Sequence, residues 1–189
     1  MTSEYRTSDF KLGSVHGKSP TGRCREAQLR NHIFGTGNLL IEGSKKLVTR
    51  IRIVGYEVPI WSRGKSRDEC IDLLGYDEAF KPWIIELKRA KSSEKLVDVF
   101  AQVDRYVKAF DQGIKSAVQD EIRQRFLWQT FCFGSETSKM ILADRTFFKN
   151  QKTVSAMRSD ILLCSFARCS DENSLLKEPR TEIRLKIER

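Results

Sequence analysis

Ile71-Asp72-Leu73-Leu74-Gly75 and, ten residues further on, Glu86-Leu87-Lys88 following Trp83-Ile84-Ile85 put three charges inside apolar runs. Successive side chains of a strand point to opposite faces. Glu86 and Lys88 therefore share a face with Ile84, while Trp83, Ile85 and Leu87 take the other. Asp72 is flanked by Ile71, Leu73 and Leu74. Burying an unpaired charge costs several kcal/mol, roughly, so these residues need partners or a metal. Two carboxylates and a lysine at the ends of adjacent strands can hold a divalent cation and still present a positive group to an anionic substrate. The pattern of carboxylate, any residue, lysine is cheap by itself. Asp9-Phe10-Lys11 matches it too, but in a polar, Gly/Ser-rich stretch without a strand signal. A Glu–Lys pair at a strand end also suits a solvated edge. Asp72 inside its own apolar run, and the helix that follows, favour a site.

That helix is predicted over Lys91 to Gln112. Leu96, Val99, Phe100, Val103, Val107 and Phe110 keep a 3.6-residue period. Gln102 and Tyr106 lie one turn apart beside this stripe, with Arg105 and Lys108 on the outer face. Together, Asp72, Glu86-Leu87-Lys88 and Gln102-Val103-Asp104-Arg105-Tyr106 resemble the PD-(D/E)xK nuclease superfamily, and the glutamine-to-tyrosine helix resembles its RecB-like branch. The core is most similar to the nuclease domain of the mismatch-specific endonucleases of archaea and actinobacteria. This covers Glu26 to Phe110 well and the remainder in outline. No proline precedes Asp72, where the superfamily's name would put one.

The resemblance implies an α/β, restriction-endonuclease-like core, a mixed central β-sheet flanked by helices. It implies a Mg²⁺ or Mn²⁺ cofactor held by Asp72, Glu86 and the carbonyl of Leu87, with Lys88 orienting the water or stabilising developing charge. Gln102 and Tyr106 would brace the site, and a glutamate on the first helix, here Glu26, would complete it. DNA is the implied partner. The charged turn Ser62 to Glu69 next to Asp72 offers Arg63, Lys65 and Arg67 to phosphates, or is a solvated hairpin. Arg89 and Lys91 follow the second site strand and are assigned to nucleic-acid binding as well.

At 189 residues the chain suits one domain with a sizeable core. The net charge is +9, of which residues 1–60 carry +5 while residues 61–120, with the proposed site, are neutral. An acidic site within a basic surround suits a polyanion drawn towards bound metal. Five cysteines, an odd number, without a signal peptide predict reduced thiols in a cytoplasmic protein, nucleoid-associated in a bacterial or archaeal cell. Two histidines and no CxxC pair argue against a zinc site. No apolar run approaches the ~20 residues of a membrane span.

Residues 1–22 are read as an arm and 23–189 as a single nuclease-like domain. A first helix is expected over Arg23 to Phe34, with Glu26, Leu29 and Ile33 on one face. Strands are expected at Lys46 to Val54 and Tyr56 to Trp61, separated at Gly55. Glu57 reads as an accessory acid or an edge-strand glutamate. After the site, the pattern predicts a helix over 114–131, a strand at Lys139 to Asp144, a helix over Arg145 to Ala156, a strand at Asp160 to Ala167 and a terminal edge strand at Thr181 to Glu188. The functional expectation is a metal-dependent nuclease hydrolysing phosphodiester bonds in DNA. The alternative is a non-catalytic nucleic-acid-binding or protein-interaction module on the same fold. Cutting both strands would suit a homodimer, and the sequence carries no dimer signature.

Overall fold

The computed structural model describes residues 11–12, 25–42, 48–60, 69–151, 158–166 and 183–188. The elements in order are β1 (Lys11–Leu12), α1 (Arg25–Thr36), β2 (Asn38–Glu42), β3 (Val48–Pro59), β4 (Cys70–Tyr76) and β5 (Pro82–Lys88). Then come α2 (Leu96–Ala109), a π-helical turn (Phe110–Ile114), α3 (Lys115–Arg125), β6 (Ser138–Ala143), α4 (Arg145–Asn150), β7 (Ile161–Phe166) and β8 (Ile183–Ile187).

β3 decides the architecture. The two strands expected on either side of Gly55 are one strand of 12 residues. Its first part pairs antiparallel with β2, from Glu42↔Val48 to Asn38↔Arg52. Its second part pairs antiparallel with β4, from Arg52↔Tyr76 to Pro59↔Cys70, with the register shifting between Ile53 and Gly55. A bulge of this kind bends a strand and increases its twist. Because the bent strand has a partner on each side, the sheet closes as β3-β2-β8-β7-β6-β5-β4 and back to β3, with β1 added along β3. The β2–β8, β5–β6 and β6–β7 pairs are parallel and the rest antiparallel. The restriction-endonuclease-like core, an open mixed central sheet with flanking helices, is therefore not what this chain forms. It forms a closed seven-stranded barrel.

Closure also shows in β2 and changes the reading of the last strand. β2 carries no alternation, because Leu39, Leu40 and Ile41 are all buried. The strand at Thr181 to Glu188 is not an edge: β8 sits between β2 and β7. Its alternating charges mark the outer face of the barrel, where Arg184 pairs with Glu42 on β2 at 3.2 Å. Gly37 makes the tight turn from α1 into β2, at φ 72°. Its N–H caps the helix through the carbonyls of Ile33 (3.2 Å) and Phe34 (3.1 Å).

The inner core takes Ile51 and Ile53, Leu73, Ile85 and Leu87, Met140 and Leu142, Cys164 and Leu185 from successive strands, and α1 adds Leu29, Ile33 and Phe34. Outside, Leu74, Tyr76 and Ile84 pack beneath the α2–α3 segment through Phe110, Ile114, Val118 and Ile122. A third cluster joins α2 and α4 to β6 and β7 through Val99, Val103, Phe147 and Ile141. α3 ends at Arg125, short of the helix expected to 131, and α4 ends at Asn150, with residues 152–157 outside the described ones. Of the expected arm 1–22, only residues 11–12 are described, and they form β1.

Closure brings β4 tightly against the bend of β3 at Gly75. A Cβ there would stand 2.6 Å from Ile51 Cγ2 and 2.7 Å from the Arg52 carbonyl oxygen. Backbone cannot yield as a side-chain end can. Gly75→Ala is expected to cost about 1–3 kcal/mol of overpacking, lowering the thermal midpoint by roughly 2–12 °C. An unchanged midpoint in scanning calorimetry would contradict this reading of the closure.

Candidate active site

The β4–β5 ladder pairs Gly75↔Trp83 and ends at Leu73↔Ile85. One step beyond, Asp72 and Glu86 stand opposite each other. At this point the strands part, and a side chain takes over the ladder: Asp72 Oδ2 accepts the Leu87 N–H at 2.9 Å. A residue facing its neighbour strand presents N–H and C=O to the same side, so the Leu87 carbonyl also projects towards Asp72. Asp72, Glu86 and Lys88 are 8, 2 and 5 % exposed. The three charges singled out in the apolar runs are thus buried together.

Lys88, the last residue of β5, ties this pair to α2. Its Nζ lies 2.8 Å from Glu86 Oε1 and 2.5 Å from Glu94 Oε2, and it donates to Gln102 Oε1 at 3.5 Å. Gln102 in turn donates from Nε2 to the Tyr106 hydroxyl. The i,i+4 spacing puts both on one face of α2, over the end of β5. Burial works against the Lys88 charge, but Glu86 and Glu94 outweigh it and hold the ammonium above its ordinary range. Burial, together with the Glu86 charge, also pushes the Tyr106 hydroxyl up, so it stays protonated.

On the other side, Arg30 of α1 reaches Asp72 Oδ1 at 3.4 Å and Glu57 Oε1 at 2.5 Å. Glu57 falls between Tyr56↔Leu73 and Val58↔Ile71, directly across from Asp72. Its φ is 46°, in the left-handed region that a glutamate adopts at a cost on the order of 1–3 kcal/mol. The register places Glu57 beside Asp72 within the β3–β4 ladder.

The structure therefore brings together Asp72, Glu86, the Leu87 backbone, Lys88, Gln102 and Tyr106. Arg89 is half-buried just beyond β5, and Lys91 is exposed in the turn that follows. Glu26 falls in the first turn of α1, and its side chain lies outside the described residues, as do Arg63, Lys65 and Arg67. Sequence reasoning missed Arg30 and Glu94. Glu94 had a signal, an acid six residues after a buried lysine; Arg30 had none beyond its place beside Leu29 on the first helix.

Oxygen donors dominate the pair. Asp72 and Glu86 stand opposite each other and are buried together, and two carboxyl groups so placed need a shared proton or a cation between them. Two carboxylates and a backbone carbonyl form a hard oxygen set of the kind that suits Mg²⁺ or Mn²⁺. The residues present fit the ion the sequence implies. No group of three or more His, Cys, Asp or Glu side chains converges as a metal set among the described residues, so the carbonyl is needed as the third donor. Neither protein-family models, nor curated proteins, nor solved structures give a match to this chain. Among the described residues, no helix is long and apolar enough to cross a membrane.

Burial outweighs the Leu87 N–H, Arg30, Lys88 and Glu86 and holds the Asp72 carboxyl above its ordinary range. Such a carboxyl favours folding below its unfolded pKa, about 3.9, and loses that contribution as pH rises through the raised folded value. At pH 7 burial of the Asp72 carboxyl thus opposes folding of the metal-free protein. Asp72→Asn keeps an acceptor for the Leu87 N–H and is expected to raise the thermal midpoint in EDTA at pH 7. A lower midpoint would mean that Arg30 and the backbone bond dominate instead.

Proposed function

We propose that this chain is a metal-dependent nuclease that hydrolyses phosphodiester bonds in DNA. The supporting observation is the buried facing pair Asp72 and Glu86 at the point where β4 and β5 separate, with the Lys88 ammonium 2.8 Å from Glu86. A structural role alone would not need three ionisable groups in a place where apolar residues of similar size would cost less. The resemblance to PD-(D/E)xK nucleases, carried by Asp72, Glu86-Leu87-Lys88, Gln102 and Tyr106, supports the same chemistry, independently of the overall fold.

Asp72, Glu86 and the Leu87 carbonyl would hold Mg²⁺ or Mn²⁺. Such an ion, when bound, supplies Lewis-acid stabilisation of phosphoryl charge and makes water nucleophilic at neutral pH. The chain's own residues do the rest. Lys88, kept protonated by Glu86 and Glu94, offers an ammonium to the attacking water or to the oxygens that gain charge. Gln102 holds Lys88 from α2, and the protonated Tyr106 hydroxyl holds Gln102. Arg30 fixes Asp72 from α1, so the carboxylate is positioned from both its oxygens. The net charge of +9 draws a polyanion to the surface around the site.

Single-turnover cleavage of single-stranded and duplex DNA with Mg²⁺ or Mn²⁺ tests the reading. Wild type is expected to cleave, and Glu86→Gln and Lys88→Ala to lose a factor of roughly 10²–10³. Lys88→Arg should restore activity only in part, because a planar guanidinium does not replace a compact ammonium. Circular dichroism establishes that each variant is folded. Folded Lys88→Ala cutting at the wild-type rate, or wild type that cuts no DNA, would refute the proposal.

A further inference from the structure

Away from the carboxylates, at the other end of β4, lies a groove of about 580 Å³ between β3 and the end of α3. Arg50 and Arg52 of β3 line it together with Tyr76, Phe126 and Trp128. A second hollow of about 260 Å³ continues it along the same arginines to Phe80. Tyr76 is four residues from Asp72, about 13 Å along the strand. A segment bound here is not the one being cut.

Three features distinguish this groove from an ordinary solvated face. Arg50 and Arg52 alternate with the buried Ile51 and Ile53, so both point outwards on one face and are exposed. Neither makes an ion pair among the described residues. Of the acids that line the smaller hollow with them, Asp77 is engaged elsewhere: its Oδ1 accepts the N–H groups of Ala79 and Lys81, and its Oδ2 accepts from Trp83 Nε1. Glu78 is exposed at the far end of the smaller hollow. The aromatic lining is rigid on one side and open on the other. Trp128 is fixed by ring contacts to Phe131 at 5.0 Å and Phe80 at 5.5 Å, whereas Phe126 is 50 % exposed. Leu127 between them holds a left-handed φ of 51°, a conformation that costs energy and sets the two rings at the groove's rim.

Guanidinium groups that make no ion pair among the described residues and line one groove with aromatic rings are the combination that binds single-stranded nucleic acid, with phosphates on the cations and bases stacked on the rings. We propose that this groove binds an unpaired stretch of nucleic acid, with Arg50 and Arg52 on its phosphates and Phe126 and Trp128 against its bases. The inference rests on the nucleic-acid part of the functional reading and on neither metal nor cleavage. Substrate with a single-stranded flank would be held here while another segment reaches Asp72 and Glu86.

The test uses the full chain in EDTA, so cleavage does not enter, with labelled oligo-dT and a duplex of equal length as probes. Fluorescence anisotropy is expected to show tighter binding of oligo-dT than of duplex. Arg50→Ala combined with Arg52→Ala should lower the slope of log K against log salt by about 1.4, at about 0.7 per contact. Phe126→Ala should weaken binding roughly fivefold to a hundredfold. Quenching of tryptophan emission by oligo-dT should vanish in Trp128→Phe, leaving Trp61 and Trp83 as the remaining tryptophans. Unchanged affinity and slope in the arginine and Phe126 variants would overturn the proposal. So would self-association that Phe126→Ala abolishes while oligo-dT binding persists, since the groove would then belong to a second copy of the chain. Cleavage measured separately, with metal, reports on the catalytic reading alone.

Discussion

Asp72 and Glu86 face each other across two strands that have just parted, and neighbouring elements supply what two buried carboxylates require. A carboxylate removed from water needs hydrogen bonds and opposite charge in place of its hydration. Asp72 receives the Leu87 N–H at 2.9 Å and the Arg30 guanidinium; Glu86 receives Lys88. α1 and β5 contribute these partners, and β3 and α2 hold them in place through Glu57 and Gln102. Even so, burial keeps the Asp72 carboxyl above its ordinary range. The compensation is incomplete, and a cation of higher charge would complete it. Burial of this carboxyl lowers stability at neutral pH, a pattern common where function demands strain.

Barrel closure serves the same place. The bend of β3 lets one strand pair with β2 and then with β4, and the second half of that strand delivers Glu57 opposite Asp72. In an open sheet of the expected kind, β3 would not need the register shift beyond Ile53 or the close approach at Gly75. Here the left-handed Glu57 and the Arg30–Glu57 pair follow from the bend, so the architecture and the acidic site are coupled through β3.

The site was more legible than the fold. Charges within apolar runs are conspicuous because burial of charge is costly, and that alone pointed to Asp72, Glu86 and Lys88. Helical spacing put Gln102 and Tyr106 on the face that the structure turns towards Lys88. Closure was not legible, for physical reasons. Alternation along a strand reports which face meets water, not whether an edge is free; β8 therefore read as an edge although both its sides are paired. β2, buried on both faces, has no alternation to read. Whether a long strand divides at Gly55 or bends through it depends on what pairs with each half, which is tertiary information. Arg30 is of the same kind: its role exists only once α1 lies against β3 and β4.

The central claim is that Asp72 and Glu86 together hold a divalent cation. Crystals soaked in Mn²⁺, with anomalous diffraction, test it most directly. The account predicts one anomalous peak between Asp72 and Glu86, about 2.0–2.2 Å from an oxygen of each, and no such peak in Glu86→Gln crystals treated in the same way. Wild-type crystals with no peak there, or with Lys88 alone filling the space between the carboxylates, would contradict it.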